Sequence, residues 1–279
     1  MKKISRRSFL AAAGLSVAAL ALTACGGSSA STASSVASSA ASSEAASTSA
    51  AAGELTTVEA GKLTMATNAA FPPYEMTTDA GEFEGIDIET AQAIADKLGL
   101  ELQIDDMDFD AALLSVQQGK ADIVMAGVTV TDERKAVMDF SDSYATGIQS
   151  IIVPEGSDIA SPDDLAGKKI GTQRGTTGYI YCTDDFGEDA VVAYDSGLTA
   201  VQALNNGQVD AVVIDNAPAQ EFVAANPGLV ILDTSYAEED YAIGMAKGSS
   251  LEDAVNAALE ELKADGTLQA IVDKYITAE

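Results

Sequence analysis

Histidine and tryptophan are absent from the 279-residue sequence, and cysteine occurs only twice. Without histidine the chain cannot build a histidine triad, an imidazole metal site or the commonest general base. Cys25 falls in a leader-like segment, which leaves Cys182 without a disulfide partner and without a histidine to activate its thiol. We therefore expect no metal site, no cofactor and no catalytic residues, and an inert thiol at Cys182.

Basic residues are also scarce: 15 Lys and Arg stand against 43 Asp and Glu, a formal net charge of −28. Four of the basic residues lie within the first seven positions, so the chain that follows them has a net charge of about −32. Such a surface repels phosphate backbones and anionic lipid head groups. Nucleic acid is therefore excluded as a partner, and contact with a membrane is expected only through a lipid.

Residues 1–24 are predicted to be a signal peptide, because a basic start is followed by the apolar run 9–24. This run is shorter than the ~20 residues that span a bilayer. Leu22-Thr23-Ala24-Cys25 resembles a bacterial lipobox, which implies a lipidated Cys25 at the mature N-terminus. Residues 5–10 also resemble a twin-arginine signal, so two export routes remain open. Residues 25–54, rich in Ser and Ala, predict a disordered tether on the outer face of the cell membrane.

Strand and helix patterns alternate through the remaining residues, which predicts an α/β fold with largely parallel sheets. The pattern restarts after Pro154, and the block 150–239 behaves as an insertion into a first lobe. We therefore expect one lobe from 55–149 plus 240–279 and a second lobe from 150–239. The expected strands are 62–67, 100–105, 121–125, 169–172, 190–194, 209–214, 229–232 and 241–245, and the expected helices are 87–98, 111–118, 162–165, 198–206, 217–225, 251–263 and 268–275.

The stretch 125–144 combines a strand end, a turn of small residues, two hydroxyls and an arginine. Thr131 is a candidate N-cap, with acidic residues in the first helical turn and Arg134 directly after them. These groups suit a carboxylate ligand, since a guanidinium can bind a carboxylate through two hydrogen bonds. From the residues alone, an exposed capped helix with Arg134 paired to a neighbouring acid is an open alternative.

The same stretch resembles the T-x-T/S-x-R-x-x-x-x-x-F-S segment of periplasmic-type amino-acid-binding proteins, the family 3 solute receptors of ABC importers. The likeness extends from residue 63 to residue 277. It implies a type II two-lobed fold, in which each lobe is a mixed, mostly parallel sheet flanked by helices and two crossover strands form the hinge. It also implies that Arg134 holds the α-carboxylate of the ligand with help from Thr129.

The resemblance assigns further residues to the two charged ends of the ligand. Asp215 would receive the α-ammonium, and Gly127 would offer its carbonyl to the same group. Thr176, Thr177 and the neighbouring backbone N–H groups would contact the carboxylate at a helix N-terminus. From the residues alone, Asp215 could equally be an N-cap of the helix that follows it, and Thr176 could be a plain cap.

Four other positions correspond to the side-chain end of the ligand in relatives. Phe71 and Phe109, both expected on loops at strand ends, match an aromatic pair that sandwiches the ligand side chain, although core packing is the usual role of phenylalanine. Gln173 matches a position that influences side-chain preference. Asn68 stands where several relatives have Asp, which weakens the case for a ligand like lysine or arginine.

The resemblance therefore implies an extracytoplasmic receptor that binds a polar α-amino acid between its lobes and delivers it to an ABC importer. The expected partners are the amino acid and the permease subunits, and the expected protein is a monomer. Two alternatives remain: an amino-acid sensor for a separate membrane signalling protein, and a periplasmic dehydratase-like enzyme of the same fold.

Overall fold

The computed structural model describes residues 55–276. The predicted signal peptide, the lipobox with Cys25 and the Ser/Ala-rich tether lie outside the described residues. Within the described range, no helix has the length and apolar character required to cross a bilayer.

In the described residues the strands are, in chain order, β1 (Lys62–Thr67), β2 (Ala70–Phe71), β3 (Glu75–Thr77), β4 (Phe83–Glu84), β5 (Glu101–Asp106), β6 (Ile123–Val124), β7 (Met138–Phe140), β8 (Ala145–Pro154), β9 (Ile170–Gln173), β10 (Val191–Tyr194), β11 (Ala211–Asp215), β12 (Leu229–Ile231), β13 (Ala237–Tyr241) and β14 (Gly244–Ala246). The helices are α1 (Ile86–Leu98), α2 (Phe109–Gln117), α3 (Asp132–Lys135), α4 (Thr177–Phe186), α5 (Gly197–Asn205), α6 (Asn216–Ala225), α7 (Glu252–Ala264) and α8 (Thr267–Tyr275), with 3-10 turns at Pro162–Leu165 and Glu188–Ala190.

The first sheet has the strand order β5-β1-β6-β14-β7 and forms lobe 1. Strand β1 is parallel to β5 and β6, whereas β14 is antiparallel to β6 and β7. Side chains of β1 alternate between the two faces, as in any strand. Leu63 and Met65 share a core with α1, α7 and α8, while Ala66 shares a second core with α2. Helices therefore cover both faces, as the continuous apolar strands predict.

The second sheet has the strand order β10-β9-β11-β8-β12 and forms lobe 2, with β13 also paired to β8. Strands β9, β10 and β11 are parallel, and β8 is antiparallel to its neighbours. Ile151 and Val153 pack with Cys182 of α4, while Ile152 packs in the core that contains Phe222 of α6. Burial raises the pKa of the Cys182 thiol to about 12. This position agrees with the expected inert thiol.

Two chain crossings connect the lobes, and they lie side by side in the second sheet. Strand β8 leads into lobe 2, and β13 returns beside it in antiparallel register, with Gln149 opposite Ala237 and Ala145 opposite Tyr241. Gly147 is required between them, because a Cβ at this position would clash with the Tyr241 ring. The two-lobed, mixed α/β fold expected from the sequence is confirmed.

Most of the expected elements are present within a few residues of their predicted bounds. Gly99 ends α1 in the left-handed conformation, with φ of 69°, as its position after an amphipathic helix indicated. The differences are the three-stranded sheet β2-β3-β4, the strands β7, β8 and β13, for which no bounds were predicted, and the return strand, which is the shorter β14.

Candidate functional site

The short helix α3 positions Arg134 in the interior. Thr131 caps this helix, and its hydroxyl accepts a hydrogen bond from the Arg134 backbone N–H at 3.1 Å. The side chain is buried; its Nη1 donates to the Thr129 carbonyl at 2.8 Å and its Nη2 to the Gly175 carbonyl at 3.1 Å. Among residues 55–276 it forms no salt bridge. The alternative of an exposed arginine paired with a neighbouring acid is therefore wrong.

Burial lowers the pKa of Arg134, and the charges of Glu239, Tyr181 and Asp215 oppose this shift, in that order. A buried guanidinium without a salt bridge is costly unless hydrogen bonds or an anion compensate its charge. The two carbonyl acceptors satisfy part of its donor capacity and leave other N–H groups available. Arg134 thus provides a desolvated positive charge that is suited to an anionic ligand group.

Asp215 ends β11 on the lobe 2 side of the site. It occupies the N-cap position of α6, but its side chain makes no capping hydrogen bond, so the plain N-cap interpretation is wrong. Its carboxylate instead accepts from Gln149 Nε2 at 2.8 Å and from the Tyr241 hydroxyl. Burial raises the pKa of Asp215 to about 7; the charge of Glu239 adds to the shift, while the hydrogen bonds from Tyr241 and Gln149 oppose it.

The turn between β9 and α4 brings a second set of hydroxyls to the site. Thr176 caps α4 by accepting from the Tyr179 backbone N–H at 3.3 Å, and its hydroxyl donates to the Gln173 carbonyl at 2.8 Å. The Thr176 hydroxyl proton is therefore already engaged in a hydrogen bond within the protein. Thr177 begins the helix, and its Oγ1 lies 3.5 Å from Oγ1 of Thr129 in lobe 1. The hydroxyls of Thr129 and Thr177 thus face each other across the two lobes.

The side-chain end of the site is built by aromatic and amide groups. Phe71 lies in the short strand β2 and Phe109 begins α2, rather than lying on loops as expected, and both rings are buried. The Arg134 guanidinium lies 5.4 Å from the centre of the Phe109 ring. Asn68 accepts from Gln173 Nε2 at 2.9 Å, which is a direct contact between the lobes, and it donates to the Met107 carbonyl.

Gly127 allows the chain to pass close to the Phe71 ring. Its φ is 55°, which disfavours other residues, and a Cβ here would lie 2.9 Å from Cε1 of Phe71. Its backbone N–H donates to Asp87 Oδ2 at 2.9 Å, and the Tyr144 hydroxyl donates to the other oxygen of the same carboxylate at 2.7 Å. Buried Asp87 therefore fixes the turn that carries Gly127.

One cavity between the lobes unites these groups. It contains about 310 Å³ of space not filled by protein atoms, part of which is open to solvent. Every residue predicted for ligand binding lines it: Asn68, Phe71, Phe109, Gly127, Thr129, Arg134, Gln173, Thr176, Thr177 and Asp215. The sequence resemblance thus located residues that the fold brings together.

Glu75 also lines this cavity and was not predicted. Its side chain is buried in β3, and its Oε2 has no hydrogen-bond partner among the described residues. Burial, followed by the charge of Asp87, raises the pKa of Glu75 well above its usual value. The only sequence signal was its place just after Pro72-Pro73-Tyr74, in a stretch that was assigned to no strand or helix.

Glu239 and Gln149 lie directly behind the cavity on the crossing strands and were also not predicted. Glu239 Oε2 accepts from Thr129 Oγ1 at 3.1 Å, from Thr177 Oγ1 at 2.9 Å and from Gln149 Nε2 at 3.0 Å. Gln149 in turn connects this carboxylate to Asp215. The acidic run Glu238-Glu239-Asp240 falls between the expected strands 229–232 and 241–245 and gave no signal of a buried strand.

The two-lobed fold and its charged cavity define a solute receptor of the type II periplasmic-binding class. The chain belongs to the bacterial extracellular solute-binding proteins, family 3, whose family model matches residues 63–278. The family expected from the segment around Arg134 is thus confirmed. Members of this family are receptors for solutes.

Individual relatives give the same result. The chain is 33% identical over 226 residues to the L-cystine-binding protein TcyJ of Escherichia coli, covering 79% of this chain and 85% of the relative. It is 33% identical over 228 residues to the arginine-binding extracellular protein ArtP of Bacillus subtilis, covering 78% and 87%. The crystal structure of the arginine-, lysine-, histidine-binding protein ArtJ of Geobacillus stearothermophilus is similar with a TM-score of 0.75 and 34% identity, covering 78% of this chain and 96% of that one.

Proposed function

We propose that this chain is an extracytoplasmic receptor that binds an α-amino acid between its lobes and delivers it to the permease of an ABC importer. The observation that carries the proposal is the pair Arg134 and Asp215, which are buried on different lobes and line one cavity. A guanidinium suits the α-carboxylate of the ligand, and a carboxylate suits its α-ammonium. The family membership and the amino-acid ligands named for its relatives support this assignment.

Binding is coupled to closure of the lobes in this proposal. Lobe 1 contributes Arg134 and Thr129, while lobe 2 contributes Asp215 and Thr177, so each lobe alone offers only part of the charge complement. A ligand that contacts both lobes favours the closed conformation by its differential contacts there. We place the lobes at 55–149 plus 240–279 and at 150–239, with β8 and β13 as the hinge, and regard the protein as a monomer without catalytic activity.

The ligand is proposed to carry a polar side chain, and Glu75 makes a cationic one a specific candidate. Asn68 is neutral and already bonded to Gln173, so it offers little attraction to a cation. Glu75, however, places a buried carboxyl in the same cavity, and its Oε2 has no hydrogen-bond partner among residues 55–276. A cationic group beside it would favour its ionised form and oppose the upward pKa shift caused by burial.

Thermal-shift screening of the purified protein against the twenty amino acids, cystine and ornithine tests the proposal. A ligand present at 100 times its Kd stabilises the folded protein by about 2.7 kcal/mol. We expect a clear shift with at least one polar amino acid, and none with neutral sugars. If no amino acid raises the melting temperature, the assignment fails.

The contribution of Glu75 is tested in the same screen with Glu75→Gln. The variant should bind a cationic amino acid roughly tenfold or more weakly, because a desolvated charged contact has lost one partner. Glu84→Gln, on the exposed adjacent strand β4, is the control and should leave affinities unchanged. Equal losses for cationic and neutral ligands would mean that Glu75 only supports the cavity wall.

We further propose that Cys25 carries the lipid that anchors the receptor to the cell membrane. The proposal rests on Leu22-Thr23-Ala24-Cys25 and on the Ser/Ala-rich segment that follows. Mass spectrometry of protein from the producing cells should show a mature N-terminus at Cys25 with added acyl mass. Cys25→Ser should abolish the acyl mass and membrane association, whereas Cys182→Ser should change neither. Wild-type protein recovered without acyl groups would contradict the anchor.

A further inference from the structure

Glu239 is a buried acid that does not line the cavity but binds groups that do. Its Oε2 accepts hydrogen bonds from Thr129 Oγ1 in lobe 1, Thr177 Oγ1 in lobe 2 and Gln149 Nε2 on the crossing strand β8. The three distances are between 2.9 and 3.1 Å. One carboxylate oxygen therefore gathers donors from both lobes and from the hinge.

The two threonine hydroxyls that donate to Glu239 have no further proton to donate to a ligand. A threonine hydroxyl has one proton, so it can donate a full hydrogen bond to only one acceptor at a time. When Thr129 and Thr177 donate to Glu239, they present mainly lone pairs to the cavity, and lone pairs repel a carboxylate. A carboxylate that enters the cavity must therefore take these protons from Glu239 or bind without them.

The negative charge of Glu239 also competes with a ligand carboxylate for Arg134. Arg134 forms no salt bridge among residues 55–276, and Glu239 is the acid whose charge acts most strongly on it. An anion bound at Arg134 would lie close to the negative charge of Glu239. Like charges repel, and the repulsion is stronger in a site withdrawn from water than in bulk solvent, so it opposes the attraction of Arg134.

We propose that Glu239 is an internal competitor of the ligand carboxylate: it holds the hydroxyls of Thr129 and Thr177 across the cleft and thereby limits the affinity of the receptor. This inference rests on the proposed function, since it assumes that an α-carboxylate binds beside Arg134. Glu239 touches no ligand in this scheme and acts through the two threonines. Moderate affinity favours a transport receptor because the ligand has to leave it again.

Glu239→Gln tests the competition, because glutamine keeps the shape and an acceptor oxygen but removes the charge. By calorimetry, the variant should bind the amino acid found for the wild type about tenfold or more tightly, because the repulsion between the two negative charges is removed. The α-carboxamide of the same amino acid has only the positive charge, so it should gain nothing from the substitution. A purely structural role of Glu239 would weaken both ligands alike.

Glu238→Gln is the matched control, because Glu238 is the exposed neighbour on the same strand. It removes an equal charge from the protein and should leave both affinities unchanged, which separates local competition from net charge. Should Glu239→Gln fail to fold, Glu239→Asp withdraws the carboxylate by one methylene and should also tighten the amino acid.

The outcomes separate this inference from the proposed function. If the wild type binds no amino acid, the proposed function fails. If the wild type binds one but Glu239→Gln binds it equally or more weakly, the receptor assignment stands and the competition is overturned. Tighter binding of the carboxamide as well as the amino acid would also overturn it.

Discussion

Replacing Arg134 with lysine is expected to lower the affinity for the amino-acid ligand by roughly 30-fold or more. Loss of one partner from a desolvated charged contact costs about 2–5 kcal/mol, and each 1.4 kcal/mol is tenfold in Kd. The loss is large because the Arg134 guanidinium makes two sets of contacts with its N–H groups. It donates to the carbonyls of Thr129 and Gly175, and it lines the cavity with further N–H groups that are not used by these two bonds. A lysine ammonium is a single point charge and cannot make both sets of contacts.

Arg174→Lys is the matched control for this experiment. Arg174 lies just after β9, is half exposed and forms a long ion pair of 3.4 Å with Asp195. Exposed ion pairs of this kind contribute little to stability. We therefore expect Arg174→Lys to bind the ligand with the affinity of the wild type. Isothermal calorimetry of the two variants gives the comparison directly. Unchanged affinity in Arg134→Lys would remove Arg134 from the binding site.

Asp215→Asn is expected to abolish tight binding of zwitterionic ligands while leaving simple carboxylic acids little affected. The substitution keeps the shape of the side chain and its acceptor oxygen but removes the charge that we propose faces the α-ammonium. Because Asp215 belongs to lobe 2 and Arg134 to lobe 1, the ligand bridges the lobes only if both ends are held. The wild type should therefore become more compact with the amino acid but not with its des-amino analogue.

Small-angle scattering and calorimetry measure the two parts of this result. In Asp215→Asn, the ligand-dependent decrease in radius of gyration should disappear along with the preference for zwitterions. Asp184→Asn, on the exposed side of α4 in the same lobe, should retain both. Tight binding and full compaction with des-amino analogues would assign the cavity to another class of small solute.

The pH dependence of binding provides an independent measure of Asp215. Its folded-state pKa of about 7 lies above the value near 3.9 of an unfolded chain. Folding therefore favours the protonated form, and this group lowers the free energy of unfolding as the pH rises from about 4 to about 7. An ammonium ligand requires the ionised form, so affinity should rise through this range in the wild type. Asp87 and Glu75 are present in both the wild type and Asp215→Asn. The difference between the pH dependences of their affinities therefore reports the ionisation of Asp215.

Local patterns predicted much of this structure. The cap at Thr131, the stop at Gly99 and the alternation of strands and helices depend on neighbouring residues, and all are present. The residues assigned by resemblance also converge on one cavity. These features are encoded in short segments or in a recognisable motif, so a single sequence is sufficient to locate them.

The features that escaped prediction depend on contacts between distant segments. Strand β13 was not predicted, since its acidic residues favour a strand only when β8 offers a partner. Whether Asp215 caps its own helix or binds Tyr241 is decided by the position of a strand 26 residues further along the chain. Glu75 and Glu239 become notable only when the fold removes them from water, which no local pattern of a single acid indicates.

The strand order of lobe 1 determines when that lobe can be completed. Strand β14 is among the last elements along the chain, yet it lies inside the sheet between β6 and β7. All strands of the second sheet, by contrast, come from the continuous segment 145–241, which is synthesised before β14. As the chain emerges from its N-terminal end, lobe 2 can therefore assemble while β6 and β7 still lack the strand that joins them. Completion of lobe 1 depends on contacts between residues more than 100 positions apart, which are the slow contacts in folding. Until β14 is made, the unpaired edge of β6 is thus open to wrong pairing with other molecules.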